Sequence, residues 1–375
     1  MIHKLKGVSS KQVLFYSVLA FVFLASVLFV HHNHAFYERP IAEVVETNLE
    51  DSTEIVDMNE NVDYLFTQSI IAELKNGENE GQVVYLENEY SLSGAYDQEY
   101  GVGNELFVWV DPPSEESEDL TGTVTDVKRD TQMLLVAWVF IFTLLIIGKK
   151  QGFFSIVSLV FNALLLSFAL DLYVNTTVSL ILLCGLSAVL FTVITLLLVN
   201  GANEKTYTAI LATLTGTFSL MSIACFVMWV APEGGLRYEE MQFLTRPHEV
   251  VFLAGVLIGS LGAVMDVAIT MSASIFGIYE KNNTISAKAL KDSGMEIGKD
   301  IMGTMTNILF FAYISGSIPV LILYLQNDSP LGFTFSMNLS LELARALAGG
   351  IGIVLTIPIA LYISIFFVNR KRAKQ

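Results

Sequence analysis

Eight stretches of this chain are apolar and long enough to cross a bilayer as helices, which takes about 20 residues each. They cover residues 13–30, 133–147, 153–170, 178–199, 209–231, 250–276, 301–325 and 344–368. Between the first and the second the pattern changes to period-two alternation interrupted by turn residues. Segments 41–47, 69–74, 82–86, 105–110 and 121–127 read as short strands, with Lys75-Asn76-Gly77 and Gly101-Val102-Gly103-Asn104 as turns. Segment 61–66 is ambiguous and also fits a helical turn. The expected fold is an α-helical polytopic membrane protein of about eight transmembrane helices carrying a small extracytoplasmic β-domain, an OB-like or SH3-like barrel. Four parts follow: a tail and anchoring helix (1–30), a β-domain (31–131), a seven-helix domain (132–368) and a basic tail (369–375).

Charge sharpens this division. Only 15% of the 375 residues are charged and 53% are apolar, whereas soluble domains carry nearer a quarter charged residues. The net charge of -16 is unevenly spread. Residues 31–131 hold 24 acids against Arg39, Lys75, Lys128 and Arg129, a net of -20, and the remainder nets +4. An acidic domain of this kind repels nucleic acid. Cys184 and Cys225 both fall in apolar runs, so no disulfide is available to the β-domain. Exported domains without disulfides suit a bacterial envelope.

The basic residues also orient the chain. With the N-terminus inside, 14 of the 21 Lys and Arg lie on inner segments, and the short outer loops hold only Arg237, Arg246 and Arg345. The positive-inside rule therefore places both termini in the cytoplasm and residues 31–131 outside. The first span has a basic front but ends in His31-His32-Asn33-His34, with no small-x-small cleavage site, and reads as an uncleaved anchor.

Candidate chemistry is concentrated within the spans. In the sixth, Gly255, Gly259, Gly262, Asp266, Thr270 and Ala273 share one narrow helical face. Small faces allow close helix packing, so Gly255, Gly259 and Gly262 are expected at helix contacts. An acid within a span costs roughly 2.5–3.5 kcal/mol on insertion scales and should face protein or water. Asp266 thus fits either a cation- or proton-binding carboxylate on a transport path or a packing carboxylate bonded to Thr or Asn. With Asp300, Thr306 and Asn307 near the seventh span, Asp266 and Thr270 form an expected intramembrane polar seam. Thr208, Ala212, Thr215, Ser219 and Ser222 make a second small face in the fifth span. After Thr284 and Ser286, either of which can cap it, a lysine-bearing helix is expected at the inner surface.

Other motifs carry less. The run Glu115-Glu116-Ser117-Glu118-Asp119 lacks the spacing of a calcium loop and reads as a solvated linker. His31, His32 and His34 have no distant partner and read as helix-ending interfacial residues. No P-loop, His-Glu-x-x-His motif or nucleophile elbow is present. No cofactor or metal is expected, and the chain reads as a non-enzyme.

The run Ile258-Gly259-Ser260-Leu261-Gly262-Ala263-Val264-Met265-Asp266 and its continuation to Ser274 resemble the YibE/F family of bacterial multipass membrane proteins. So do Lys149-Lys150-Gln151-Gly152, the segment 200–206, Gly298-Lys299-Asp300 and Thr306-Asn307. The resemblance covers most of 149–368 and extends more weakly to 77–103. Members with two adjacent acids differ from this chain, which has Met265-Asp266, so only Asp266 carries over. The resemblance implies a bacterial cell-membrane location and a possible shorter partner from the same family. It implies a fold and no reaction; the carboxylate on a glycine face amid hydroxyl-bearing helices makes a permease-like or transport-associated protein the leading expectation, handling an unidentified small solute or ion as a homo-oligomer or in a hetero-complex. The alternative is a non-transporting envelope sensor or scaffold acting through its ectodomain.

Overall fold

The computed structural model describes residues 10–94, 97–112, 119–230, 236, 238 and 246–373. Two compact units divide the chain, Met1–Thr143 and Leu144–Gln375.

The first unit begins with helix α1 (Ser10–His31) and a 3-10 turn at His34–Phe36. Five strands follow: β1 (Ile41–Val56), β2 (Val62–Leu74), β3 (Val83–Ser91), β4 (Glu105–Val110) and β5 (Leu120–Val127). They close a barrel in the order β1-β2-β3-β5-β4, with β3 and β5 parallel and the other pairs antiparallel. This is an OB-type barrel, which decides between the two expected types. The interior is filled by alternate residues such as Val44, Ile70, Ala72, Leu74, Val84 and Leu106, all nearly inaccessible.

Two expectations change in this unit. Of segment 61–66, residues 62–66 belong to β2, and β1 continues to Val56, well beyond residue 47. Beyond the closed part, polar side chains replace the alternation on β1. Cross-strand pairing with β2 carries the strand onward, from Leu49 opposite Gln68 to Val56 opposite Val62. The turn at Lys75-Asn76-Gly77 is as read, with Gly77 at φ +90. Asn76 there is buried and works as a knot. Its Oδ1 accepts from Ile41 N at 2.7 Å, and its Nδ2 lies within 3.1 Å of the carbonyls of His34, Tyr37 and Arg39. The acids 115–118 lie outside the described residues.

Among the described residues, seven continuous helical elements are long and apolar enough to span a membrane. They are α1, α2 (Asp130–Asn175), α3 (Leu180–Asn200), α4 (Glu204–Val230), α5 (His248–Lys281), α6 (Ala287–Ile314, continued by a 3-10 turn into α7, Ile318–Gln326) and α9 (Ser340–Arg372). A short α8 (Leu331–Asn338) precedes α9. The protein is a polytopic helical membrane protein with a β-domain. The 46-residue α2 comprises two helices, which correspond to the expected spans 133–147 and 153–170, so each of the eight expected spans is helical. The two helices of α2 are separated by a break at Lys149 (φ 48, ψ -119). The chain turns so sharply that a Cβ on Gly152 would clash with the Leu144 carbonyl oxygen.

In the second unit, α9 packs against α4, α5 and α6, and α5 also packs against α3, α4 and α6. The shared core contains Val267, Met271, Ile275, Ile353, Ile357 and Leu361. Ser286 caps α6 by accepting from Ala289 N at 3.1 Å. The expected surface helix is therefore the first part of α6, continuous with the span.

Candidate functional site

The small face of α5 lies where the sequence places it, but it packs only in part as expected. α5 is the most buried of the long helices, yet Gly255, Gly259, Gly262, Asp266 and Ala273 are all exposed. Nothing within 4 Å meets a Cβ placed on Gly262. The hydroxyl of Tyr313 from α6 lies over Gly259, and Arg345 from α9 approaches Gly255. Of the three expected packing glycines, Gly259 thus meets α6, Gly255 lies at the edge of α9, and Gly262 is open. Other glycines also face bulky neighbours: Gly216 against Thr356, Gly298 against Ile357, Gly294 against Leu361 and Gly349 against Leu309.

The expected polar seam is not assembled in the single chain. Asp266, Asp300 and Asn307 are exposed, and Thr270 and Thr306 are half-buried. Asn307 donates back to Gly303 O at 2.9 Å, a bond within its own helix. Asp300, Gly303, Thr304 and Asn307 occupy the exposed side of α6, while Gly294, Gly298 and Leu309 turn toward α9 or α5. Asp300 and Asn307 therefore lie on the outer side of α6, whereas Thr306 turns toward Gly350 of α9. The second small face is split: Thr208 and Ala212 are buried, Ser219 is half-buried, and Thr215 and Ser222 are exposed, while Thr213, Gly216 and Thr217 beside them are buried.

The structure brings together two polar groups that the sequence reading missed. At one end of the α5 face, Arg345 and Glu342 form an ion pair three residues apart on α9. Arg345 also lies 5.7 Å from the Phe252 ring centroid. The opposite charges three apart at the start of the last span were the available signal. The second group consists of hydroxyls along α4, where Thr206, Thr213 and Thr217 are fully buried and their Oγ1 atoms have no hydrogen-bond partner among the described residues. Nearby on α9, Thr356 donates to Gly352 O at 2.7 Å, and Ser364 lies 3.5 Å from Ser272 of α5.

A third polar cluster lies at the foot of the barrel. Lys128, with its side chain 1% exposed, sits 2.5 Å from Glu105 Oε2 and 3.7 Å from Asp130 Oδ2. It also donates to Val30 O at 3.1 Å. Glu105 meets His34 Nε2 at 2.7 Å, and Asp130 accepts from Tyr37 Oη (2.5 Å) and Asn33 Nδ2 (3.1 Å). Burial alone would raise the Glu105 carboxyl, but the bonds from Lys128 and His34 outweigh it and hold it below the ordinary carboxylate range. The hydrogen bond to Asp130 raises the Tyr37 phenol, with burial adding to the effect. A cleft of about 370 Å³ opens beside this cluster, lined in part by His31, Gln98, Asn104, Arg129 and Gln132. The cluster ties the end of α1, the barrel and the start of α2 together. Among the described residues no group of three or more His, Cys, Asp or Glu could hold a metal ion. His34 is engaged by Glu105, and His32 by Leu28 O.

No curated protein and no solved structure matches the chain. Two family profiles do. The N-terminal domain of the YibE/F family matches residues 35–127, and the YibE/F-like protein profile matches residues 136–370. The barrel and the helix bundle fall one within each match, and the chain belongs to the YibE/F family.

Proposed function

We propose that this chain is a permease-like, transport-associated protein of the bacterial cell membrane, not an enzyme, with both termini in the cytoplasm. One observation carries this reading: Asp266 sits midway along the most buried helix, exposed on a face of small residues, Gly255, Gly259, Gly262, Thr270 and Ala273. A carboxylate facing lipid at that depth is disfavoured by roughly 2.5–3.5 kcal/mol. Water, a solute, or a second subunit must therefore meet it. Homo-oligomerisation, or pairing with a shorter relative, would close the face and enclose Asp266, with Thr270, Thr306, Asn307 and Asp300 on its approaches. The solute is a small molecule or ion.

Flux of H+, Na+ and K+ into proteoliposomes tests the reading, with Asp266→Asn and Asp266→Glu compared at equal reconstitution. Asn is expected to lower flux at least tenfold and Glu to retain part of it. Equal flux through wild type and Asn would remove Asp266 from the mechanism.

A second reading, an envelope sensor or scaffold, is favoured by the cluster around Lys128, which couples the barrel to two membrane helices. It predicts that deleting residues 38–128 abolishes the cellular phenotype, while Asp266→Asn leaves it intact in folded protein.

A further inference from the structure

β1 is held in the barrel at one end only. It pairs with β4 through Ile41, Ala42 and Glu43, and Val44 exchanges backbone bonds with Gly103 and Asn104. From Glu46 to Val56 its only strand partner among the described residues is β2. The β1–β2 arm therefore extends past the closed barrel with a free strand edge, and exposed edges are templates for another strand.

The arm also keeps its inner face. Gln68, Ile70, Ala72 and Leu74 alternate inward on β2, and the same parity continues through Phe66, Tyr64 and Val62. Across the sheet these pair with Ser52, Glu54 and Val56 of β1, and Phe66 pairs with Tyr90 of β3 at a ring separation of 5.1 Å. Leu49, Val56 and Val62 are each more than half exposed. Below them, Gln68 closes the barrel mouth by bonding Tyr100 O at 2.7 Å. Beyond that closure, residues in core register face outward into an open trough.

Charge narrows the choice of occupant. Glu46, Glu50, Asp51, Glu54 and Asp63 lie along the arm, and no Lys or Arg occurs between residues 46 and 74. Acidic edges oppose pairing with a second copy and with anionic lipid or nucleic acid. We propose that this arm docks an extended, basic segment of a partner protein. The segment adds as a strand to β1, placing alternate apolar side chains in the trough and Lys or Arg against the acids of the arm. This site is separate from Asp266 and independent of the transport reading.

The test uses the full chain in phosphatidylcholine nanodiscs and a synthetic peptide of alternating valine and lysine. A peptide with the same residues in two blocks has equal charge without alternation. Anisotropy should show the alternating peptide binding at least tenfold more tightly than the block peptide. It should also slow hydrogen exchange of amides 46–56. Val56→Asp, at an exposed position, should weaken binding about tenfold, and Val83→Asp, exposed on β3 outside the trough, should not. Equal binding of the two peptides, unchanged exchange at 46–56, or indifference to Val56→Asp would overturn the proposal. Protection of 46–56 without peptide, by phosphatidylglycerol in the nanodisc or by dimerisation, would overturn it in favour of a lipid surface or a second copy.

Discussion

The ammonium of Lys128 lies 2.5 Å from Glu105 Oε2, almost fully enclosed where the barrel meets its two flanking helices. Removing one partner of such a pair strands the other charge, at a cost of about 3–5 kcal/mol. Lys128→Met and Glu105→Gln should each lower the melting temperature of the β-domain in the full chain, read by far-ultraviolet circular dichroism in detergent. The double replacement should cost less than the two single changes combined. Glu105 is held below its ordinary pKa, so its stabilising effect is present above the ordinary carboxylate range. That effect is lost as pH falls through the lowered folded-state value. Wild type should therefore lose stability on acidification in that window, and Glu105→Gln should show a flatter profile. Parallel profiles would exclude Glu105 as the source.

The reversal inside α2 depends on a missing side chain. A Cβ on Gly152 would meet the backbone oxygen of Leu144, which cannot rotate away as a side chain can. Gly152→Ala should cost about 1–3 kcal/mol, the range for overpacked sites. Gly148→Ala, with nothing within 4 Å, should stay within about 0.5 kcal/mol. Denaturation in mixed micelles compares the two, and equal stabilities would contradict the close approach.

Thr213 and Thr217 bury hydroxyls that have no hydrogen-bond partner among the described residues. An unsatisfied buried polar group costs about 1–3 kcal/mol, so a valine of similar shape should be neutral or stabilising. Thr213→Val and Thr217→Val should thus melt at or above the wild-type temperature in the same micelles. A clear loss of stability would mean that these hydroxyls are hydrogen-bonded in the membrane.

The spans and the alternating strands were legible because each rests on a local period. Ile70, Ala72 and Leu74 show their inward parity in sequence, and so do the apolar runs of α3 and α9. The Lys149 break was legible as an interruption by polar residues, though the close approach of Gly152 to the Leu144 carbonyl was not. The arm of β1 was missed because Ser52, Thr53 and Glu54 have no interior to face, leaving no alternation to read. Helical spacing correctly placed Asp266 with Gly255, Gly259 and Gly262. Which of these residues meets another helix depends on where α6 and α9 pack, which is not written in the spacing along α5. The knot at Asn76 carries no local signal beyond a turn, since its partners lie more than 30 positions away.

The β-domain contains no disulfide, yet its two ends are pinned. Trp138 of α2 donates to Ser26 of α1 at 2.8 Å, and Phe23 sits edge-on to the same indole. These residues are 112 positions apart, with the barrel between them. Two associated membrane helices thus act on the domain as a covalent cross-link would, shortening the reach of the unfolded loop. For a closed loop of about 100 residues the chain-entropy value is roughly 4–5 kcal/mol. Membrane anchorage supplies the conformational restraint that secreted domains of this size draw from cystine, and the same barrel cut free of α1 and α2 would have to fold without it.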